Sequence, residues 1–182
     1  MSTAPRAILL HGNGGCTAAD TWLPFLERQL TALGLTVINQ TFPDNVRARA
    51  SIWLPFLEEL GADANTILIG HSSGAVAAMR YAETHRLLGS VLVGVCYTDL
   101  GDSGEAASGY YRDPWLWDRI RENQEWIAIY NSTDDPHIPI AEARHVARQL
   151  RCSYYEFNDR GHFGDSRELP EVVQLVRRKL KL

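Results

Sequence analysis

The sequence has no apolar run long enough to span a membrane, and its N-terminal stretch Met1-Ser2-Thr3-Ala4-Pro5-Arg6 has no signal-peptide core. A cytoplasmic or nucleocytoplasmic protein without membrane contact is the resulting expectation. No block of basic residues is present to track phosphates, and the formal net charge is −4, so nucleic acid is not an expected partner. Cysteine is scarce. Cys16, Cys96 and Cys152 are widely separated, odd in number and without metal-ligand spacing, which leaves reduced thiols and excludes a disulfide framework. No metal is expected. Linkers and low-complexity segments are also missing. Trp22-Leu23-Pro24-Phe25-Leu26 recurs as Trp53-Leu54-Pro55-Phe56-Leu57, but nothing around either copy is self-similar, so the recurrence marks two helix starts with core tryptophans.

What is present suits one globular domain over residues 1–182: 45% of residues are hydrophobic and 22% charged. Short apolar runs alternate with segments of helical period. Expected strands are Ala7–Leu10, Leu35–Asn39, Ile67–Ile69, Val91–Val95, Trp126–Tyr130 and Ser153–Phe157. Between them the pattern predicts a helix capped by Asp20 or Thr21, and a second from about Phe42-Pro43-Asp44 to Leu60 that Pro55 divides or bends. Further helices run to about His85, over 141–150 and over 169–180. The stretch from Cys96 to about Pro114 has no period. It reads either as a lid or pocket wall rich in aromatics or as a surface loop packed down by them. The class is α/β, a three-layer α/β/α sandwich with a mostly parallel sheet.

One stretch carries the chemistry. Thr66 to Met79 reads as strand, turn and small-residue helix, with Gly70-x-Ser72-x-Gly74 at the turn. In that setting a serine sits on a nucleophile elbow, and the glycines leave room for the crowded backbone. The N–H of Ser73, at the start of the helix, would face a developing oxyanion. His11-Gly12-Asn13-Gly14-Gly15 follows the first strand. It lacks the Gly-Lys-Ser/Thr of a phosphate loop and matches a loop that supplies the second oxyanion N–H, from Asn13 first or Gly14 second. The loop after the fifth strand holds Asp134-Asp135-Pro136, and the loop after the sixth holds Gly161-His162. Their order is Ser, Asp, His. His162 is the candidate base, Asp135 the candidate orienting acid and Asp134 its alternative, with capping or turn formation as the other role for Asp134. Among the remaining histidines, His11 belongs to the oxyanion loop, His71 would point away from the nucleophile, His137 is a loop residue near the acid, and His85 and His145 are helix-surface residues. Cys16, near the oxyanion loop but with no local base, reads as an inert thiol.

Long runs go further. Gly70-His71-Ser72-Ser73-Gly74-Ala75, Ala77-Ala78-Met79-Arg80-Tyr81-Ala82-Glu83-Thr84-His85-Arg86, Asp99-Leu100-Gly101-Asp102 and Ser132-Thr133-Asp134-Asp135-Pro136 resemble a family of small serine hydrolases, one member of which takes its name from binding the retinoblastoma protein. The resemblance covers nearly the whole chain. It implies a reduced, Rossmann-like α/β-hydrolase fold, the triad Ser72, Asp135 and His162, and hydrolysis of small ester or amide substrates, plausibly aminoacyl ones, without a cofactor. Asp99, Asp102 or Glu105 would then be candidates to receive a substrate ammonium. Retinoblastoma-protein binding by that member is associated with Leu-x-Cys-x-Glu. The matching stretch here is Leu60-Gly61-Ala62-Asp63-Ala64, which lacks both the Cys and the Glu, so that partner is not carried over. The alternative from another class is an interaction protein on a hydrolase fold with vestigial activity.

Overall fold

The computed structural model describes residues 4–182; Met1–Thr3, part of the stretch read above for a signal peptide, lie outside the described residues. Six strands form one sheet in the order β2-β1-β3-β4-β5-β6, and every pairing in it is parallel. They are β1 (Arg6–Leu10), β2 (Thr36–Asn39), β3 (Thr66–His71), β4 (Leu87–Val93), β5 (Gln124–Ser132) and β6 (Ser153–Phe157). The helices are α1 (Leu23–Ala32), α2 (Ala50–Glu59), α3 (Ser73–Ala82), α4 (Ser103–Ser108), α5 (Trp117–Glu122), α6 (Ile140–Leu150) and α7 (Pro170–Leu180).

The period-2 alternation of the strands sorts their side chains into two cores. Ala7, Leu9, Ile67, Ile69, Val91 and Val93 pack with Leu26 and Leu30 of α1 and Val172 and Leu175 of α7. Ile8, Leu10, Leu68 and Leu92 pack on the other face with Trp53 and Leu57 of α2, Ala75 to Ala78 of α3 and Val146 of α6. The sheet is therefore covered on both faces, which is what a parallel sheet requires. Both Trp22 and Trp53 are fully buried, as core residues.

The first strand sits between β2 and β3, so the chain passes to one side of it to form β2 and to the other side to form β3. That reversal opens a crevice beyond the carboxyl ends of β1 and β3, where ligands bind in such sheets.

Several expected boundaries differ. Neither Asp20 nor Thr21 caps α1: the Asp20 carboxylate accepts from Thr17 N and Oγ1 at 2.7 and 3.0 Å, and the N-cap position is Trp22. The segment 43–47 is turns, with Asp44 at φ 54°, and α2 starts only at Ala50 and runs unbroken through Pro55. Pro55 is exposed, where a missing helical N–H leaves its orphaned carbonyl partner open to water. The helix α3 ends at Ala82 rather than His85, and β4 begins at Leu87, four residues before the expected Val91. Gly89 hid that start. A Cβ there would run into the Trp126 ring of the neighbouring strand, so a residue of poor strand propensity is required inside β4.

The aperiodic stretch contains α4. Asp102 caps it, accepting from Gly104 N and Glu105 N at 2.8 and 2.9 Å, and Gly109 ends it in the left-handed conformation. The spacing Asp102-x-x-Glu105 and the closing Gly109 were the available signals. The segment is braced at both feet. Glu142 of α6 accepts from Tyr97 N, Thr98 N and Thr98 Oγ1, and Arg80 of α3 donates to the carbonyls of Tyr110 and Asp113. It is a fixed wall. Of its aromatics, Tyr110 is buried in the core, Tyr111 alone faces the cavity beside Ser72, and Trp115 packs under the Arg80 guanidinium.

Candidate active site

The serine at the end of β3 occupies a backbone conformation that side chains avoid. Ser72 has φ 54° and ψ −116°, and is fixed by its own N–H donating to Val93 O at 2.8 Å and by its carbonyl accepting from Ala75 N and Val76 N. The flanking glycines are sterically required. A Cβ on Gly74 would lie 2.6 Å from Leu10 O and 2.7 Å from His11 O, and one on Gly70 would overlap the Gly74 carbonyl. The turn thus presses α3 against the ends of β1 and β3, and lifts the Ser72 side chain into the crevice.

Asp135 lies just past β5, where its carboxylate is fully shielded from solvent. Its Oδ1 accepts from His137 N at 2.8 Å and Ile138 N at 3.0 Å, and its Oδ2 accepts from His162 Nδ1 at 2.7 Å. Burial by itself would raise its pKa. The bond and the charge of His162, with the two backbone donors, outweigh burial and hold the carboxyl below its ordinary value. With Nδ1–H directed at the carboxylate, neutral His162 keeps Nε2 as an acceptor.

Asp134, the alternative acid, does something else. Its Oδ1 accepts from Ser132 Oγ and from Gly161 N, and Ser132 Oγ in turn accepts from Arg160 N at 3.1 Å. It ties the acid loop to the histidine loop, a turn-forming role that brings His162 to Asp135 without touching the imidazole.

The histidine is further supported by three groups that the sequence reading did not assign. His71 does not point away. Its Nε2–H donates to His162 O at 2.7 Å, and the two rings lie 5.0 Å apart. Burial, reinforced by the neighbouring His162, pushes the His71 pKa down to about 4, so this ring stays neutral beside the candidate base. Gly94 follows β4 at φ 63°, and a Cβ there would sit 3.0 Å from His162 Cε1. Phe163, at φ 60°, is fully buried in the core and pins the loop from below. None of the three carries a local sequence signal for this contact, because each acts on a residue reached only through the sheet.

On the oxyanion side, the first N–H groups of α3, Ser73 among them, have no intrahelical acceptor. The Gly14 N–H donates to Val46 O at 3.0 Å, which removes the second-choice donor. Asn13 borders the cavity and its N–H has no protein acceptor among the described residues. His11 is structural: Phe42 N–H donates to its Nε2 at 2.8 Å, so Nδ1 carries the proton and donates to Gly12 O at 2.7 Å.

These groups share one cavity of about 500 Å³. Ser72, Ser73, Asn13 and His162 line it together with Cys96, Leu100, Tyr111 and Ile138, and Asp102 and Glu105 add acidic groups to the lining. Asp99 is not part of this lining and instead accepts from Gly101 N within its own turn. The Cys96 thiol is pushed up to about 12 by burial, and burial also raises Cys16, so neither is an activated nucleophile. Among the described residues no group of three or more His, Cys, Asp or Glu side chains is placed to hold a metal ion, and no helix is long and apolar enough to cross a membrane.

Comparison with known proteins follows the same lines. The sequence model of a family described as serine hydrolase matches residues 7–177. The serine hydrolase RBBP9 of Rattus norvegicus is 44% identical over 183 residues, covering 99% of this chain and 98% of that protein. In shape, the ydeN gene product of B. subtilis superposes with a TM-score of 0.89 at 23% identity, over 98% of this chain and 100% of the other. Est1E from Butyrivibrio proteoclasticus, in a structure with ferulic acid bound, gives a TM-score of 0.74 at 14% identity over 98% of this chain and 89% of that one. The sheet and its flanking helices are those of the α/β-hydrolase fold.

Proposed function

The chain belongs to the serine hydrolase family, and from that premise we propose that it cleaves small esters or amides through an acyl-enzyme on Ser72. The observation that carries the reading is the shielded His162–Asp135 bond at 2.7 Å beside a serine on a strained elbow in the same cavity. A serine hydroxyl is a poor nucleophile until a base takes its proton. His162 Nε2 takes that proton as Ser72 Oγ bonds to the substrate carbonyl carbon. The electron pair moves onto the carbonyl oxygen, which the N–H groups of Asn13 and Ser73 receive. Collapse of this tetrahedral state expels the alcohol or amine, which takes the proton back from His162. Water then repeats the sequence on the acyl-Ser72 ester and releases the acid. Throughout, Asp135 holds the imidazole in one tautomer and stabilises it when it is charged.

The cavity supports a finer reading of the substrate. Its apolar lining residues suit a small hydrocarbon group, and the negative charge of Asp102 and Glu105 in the same lining favours an ammonium, as in an aminoacyl ester or amide. Asp102→Asn keeps the oxygen that caps α4 and removes the charge. It should slow aminoacyl esters relative to simple acyl esters.

The experiment that tests the nucleophile is labelling with a fluorophosphonate, followed by mass spectrometry of the modified peptide. The expected adduct is on Ser72 and is lost in His162→Ala. Folded protein that takes no label, or a Ser72→Ala variant that hydrolyses activated esters at the wild-type rate, would overturn the proposal and favour an interaction protein on a hydrolase fold.

A further inference from the structure

Resting on the reading of Ser72 as nucleophile, we propose that Glu105 of α4 is a positioning residue that holds the oxyanion loop through Asn13. Glu105 Oε1 accepts from Asn13 Nδ2 at 2.6 Å, joining residues 92 positions apart in the chain. A carboxylate acceptor makes this a charge-assisted bond, stronger than one between neutral groups.

The rest of the loop is held by the turn at 45–46. Gly14 N and Gly15 N donate to the carbonyls of Val46 and Asn45 at 3.0 and 3.1 Å, and Asn45 Nδ2 donates to Cys16 O at 2.9 Å. Among the described residues the Asn13 side chain has only Glu105. Asn13 is therefore fixed from the insertion, and it borders the cavity with an N–H that has no protein acceptor among the described residues. Glycines on both sides of it, at 12 and 14, give that peptide wide backbone freedom. An oxyanion donor works only when it is aimed in advance at the place where charge develops.

Glu105 is itself well presented. Its N–H is held by the Asp102 cap, its carbonyl accepts from Ser108 Oγ at 2.6 Å, and the insertion is braced at both feet by Glu142 and Arg80. A stretch that looks like a loop thus supports part of the catalytic geometry.

The test uses the full chain and a neutral p-nitrophenyl ester, with Glu105→Ala, Asn13→Ala, the double variant and Glu105→Gln, and with Ser72→Ala as control. Glu105→Ala and Asn13→Ala should each lower kcat about tenfold with KM changed by less than about twofold. The double variant should be no slower than either single one, because both remove the same bond. Glu105→Gln keeps an acceptor oxygen and should restore kcat to within about threefold of wild type. Affinity for a boronic acid that mimics the tetrahedral state should fall in step with kcat. If Ser72→Ala is inactive but Glu105→Ala turns over like wild type, or if Glu105→Gln is as slow as Glu105→Ala, the role of Glu105 is wrong and the nucleophile stands. Hydrolysis that survives in Ser72→Ala removes both. Should Glu105→Ala fail to fold, Asn13→Ala breaks the same bond from the other end and decides the matter.

Discussion

Replacing Asp135 by Asn separates orientation from packing at the candidate base. The side chain keeps its shape, and its remaining oxygen still accepts from His137 N and Ile138 N, bonds of 2.8 and 3.0 Å. The position that faces His162 Nδ1 at 2.7 Å becomes an NH₂ donor. The imidazole must then offer Nδ1 as an acceptor and carry its proton on Nε2, where it has no lone pair for the serine proton. In hydrolytic triads this exchange lowers kcat by about 10⁴, or about 5.5 kcal/mol of transition-state stabilisation. The cost to stability is smaller, about 1.5–3 kcal/mol for one hydrogen bond to a charged group. The assay is kcat on a p-nitrophenyl ester from pH 6 to 9, with thermal unfolding measured on the same samples. Asp134→Asn is the comparison, because Asp134 bonds Ser132 and Gly161 and not the imidazole. It should lower kcat less than about tenfold, through a looser histidine loop alone. A folded Asp135→Asn enzyme within tenfold of wild type, or a larger loss in Asp134→Asn, refutes the assignment of the acid.

Three other outcomes follow from the same contacts. Gly94→Ala places a Cβ 3.0 Å from the His162 ring at φ 63°, so it should lower kcat more than it raises KM and cost about 1–2 kcal/mol in urea unfolding. Gly70→Ala pushes a methyl into the Gly74 backbone and should cost more than about 3 kcal/mol, read as insoluble or unfolded protein in expression trials. For His71 the pKa falls from 6.5 in the unfolded chain to about 4 in the fold, so the folded state refuses a proton that the unfolded state takes. It adds no pH dependence above about 6.5, and stability falls as pH drops from there to about 4, by about 3 kcal/mol at 1.36 kcal/mol per pH unit. Chemical denaturation of wild type and His71→Asn across that window should show the slope in the first and a flatter line in the second.

The elbow shows how much was legible locally. Gly70-x-Ser72-x-Gly74 between a β-branched run and a small-residue helix defines a turn within a few residues, and part of what holds it is local: the Ser72 carbonyl accepts from Ala75 N and Val76 N, and Gly70 packs on Gly74. Strand alternation likewise declared the layers, because the two faces of β1 and β3 are written in successive side chains. The expected strand at 91–95 shows the limit. Gly89 and Ser90 interrupt the apolar run, and the reason for the glycine is a Trp126 ring supplied by another strand.

For the site, the sequence by itself determined the order serine, acid, histidine and the elements on which they ride. Which of two adjacent aspartates meets His162 was decided by tertiary structure. Parallel pairing of Ser132 with Phe157 sets the ends of β5 and β6 side by side, and only that register brings a side chain at 135 to one 27 positions later. The same holds for Gly14, withdrawn by Val46, for His71 behind His162, and for Glu105 bonded to Asn13. Local patterns are fixed by forces acting over one or two turns of chain. Hydrogen bonds between distant loops depend on where the sheet places their ends, and no spacing within either loop records it.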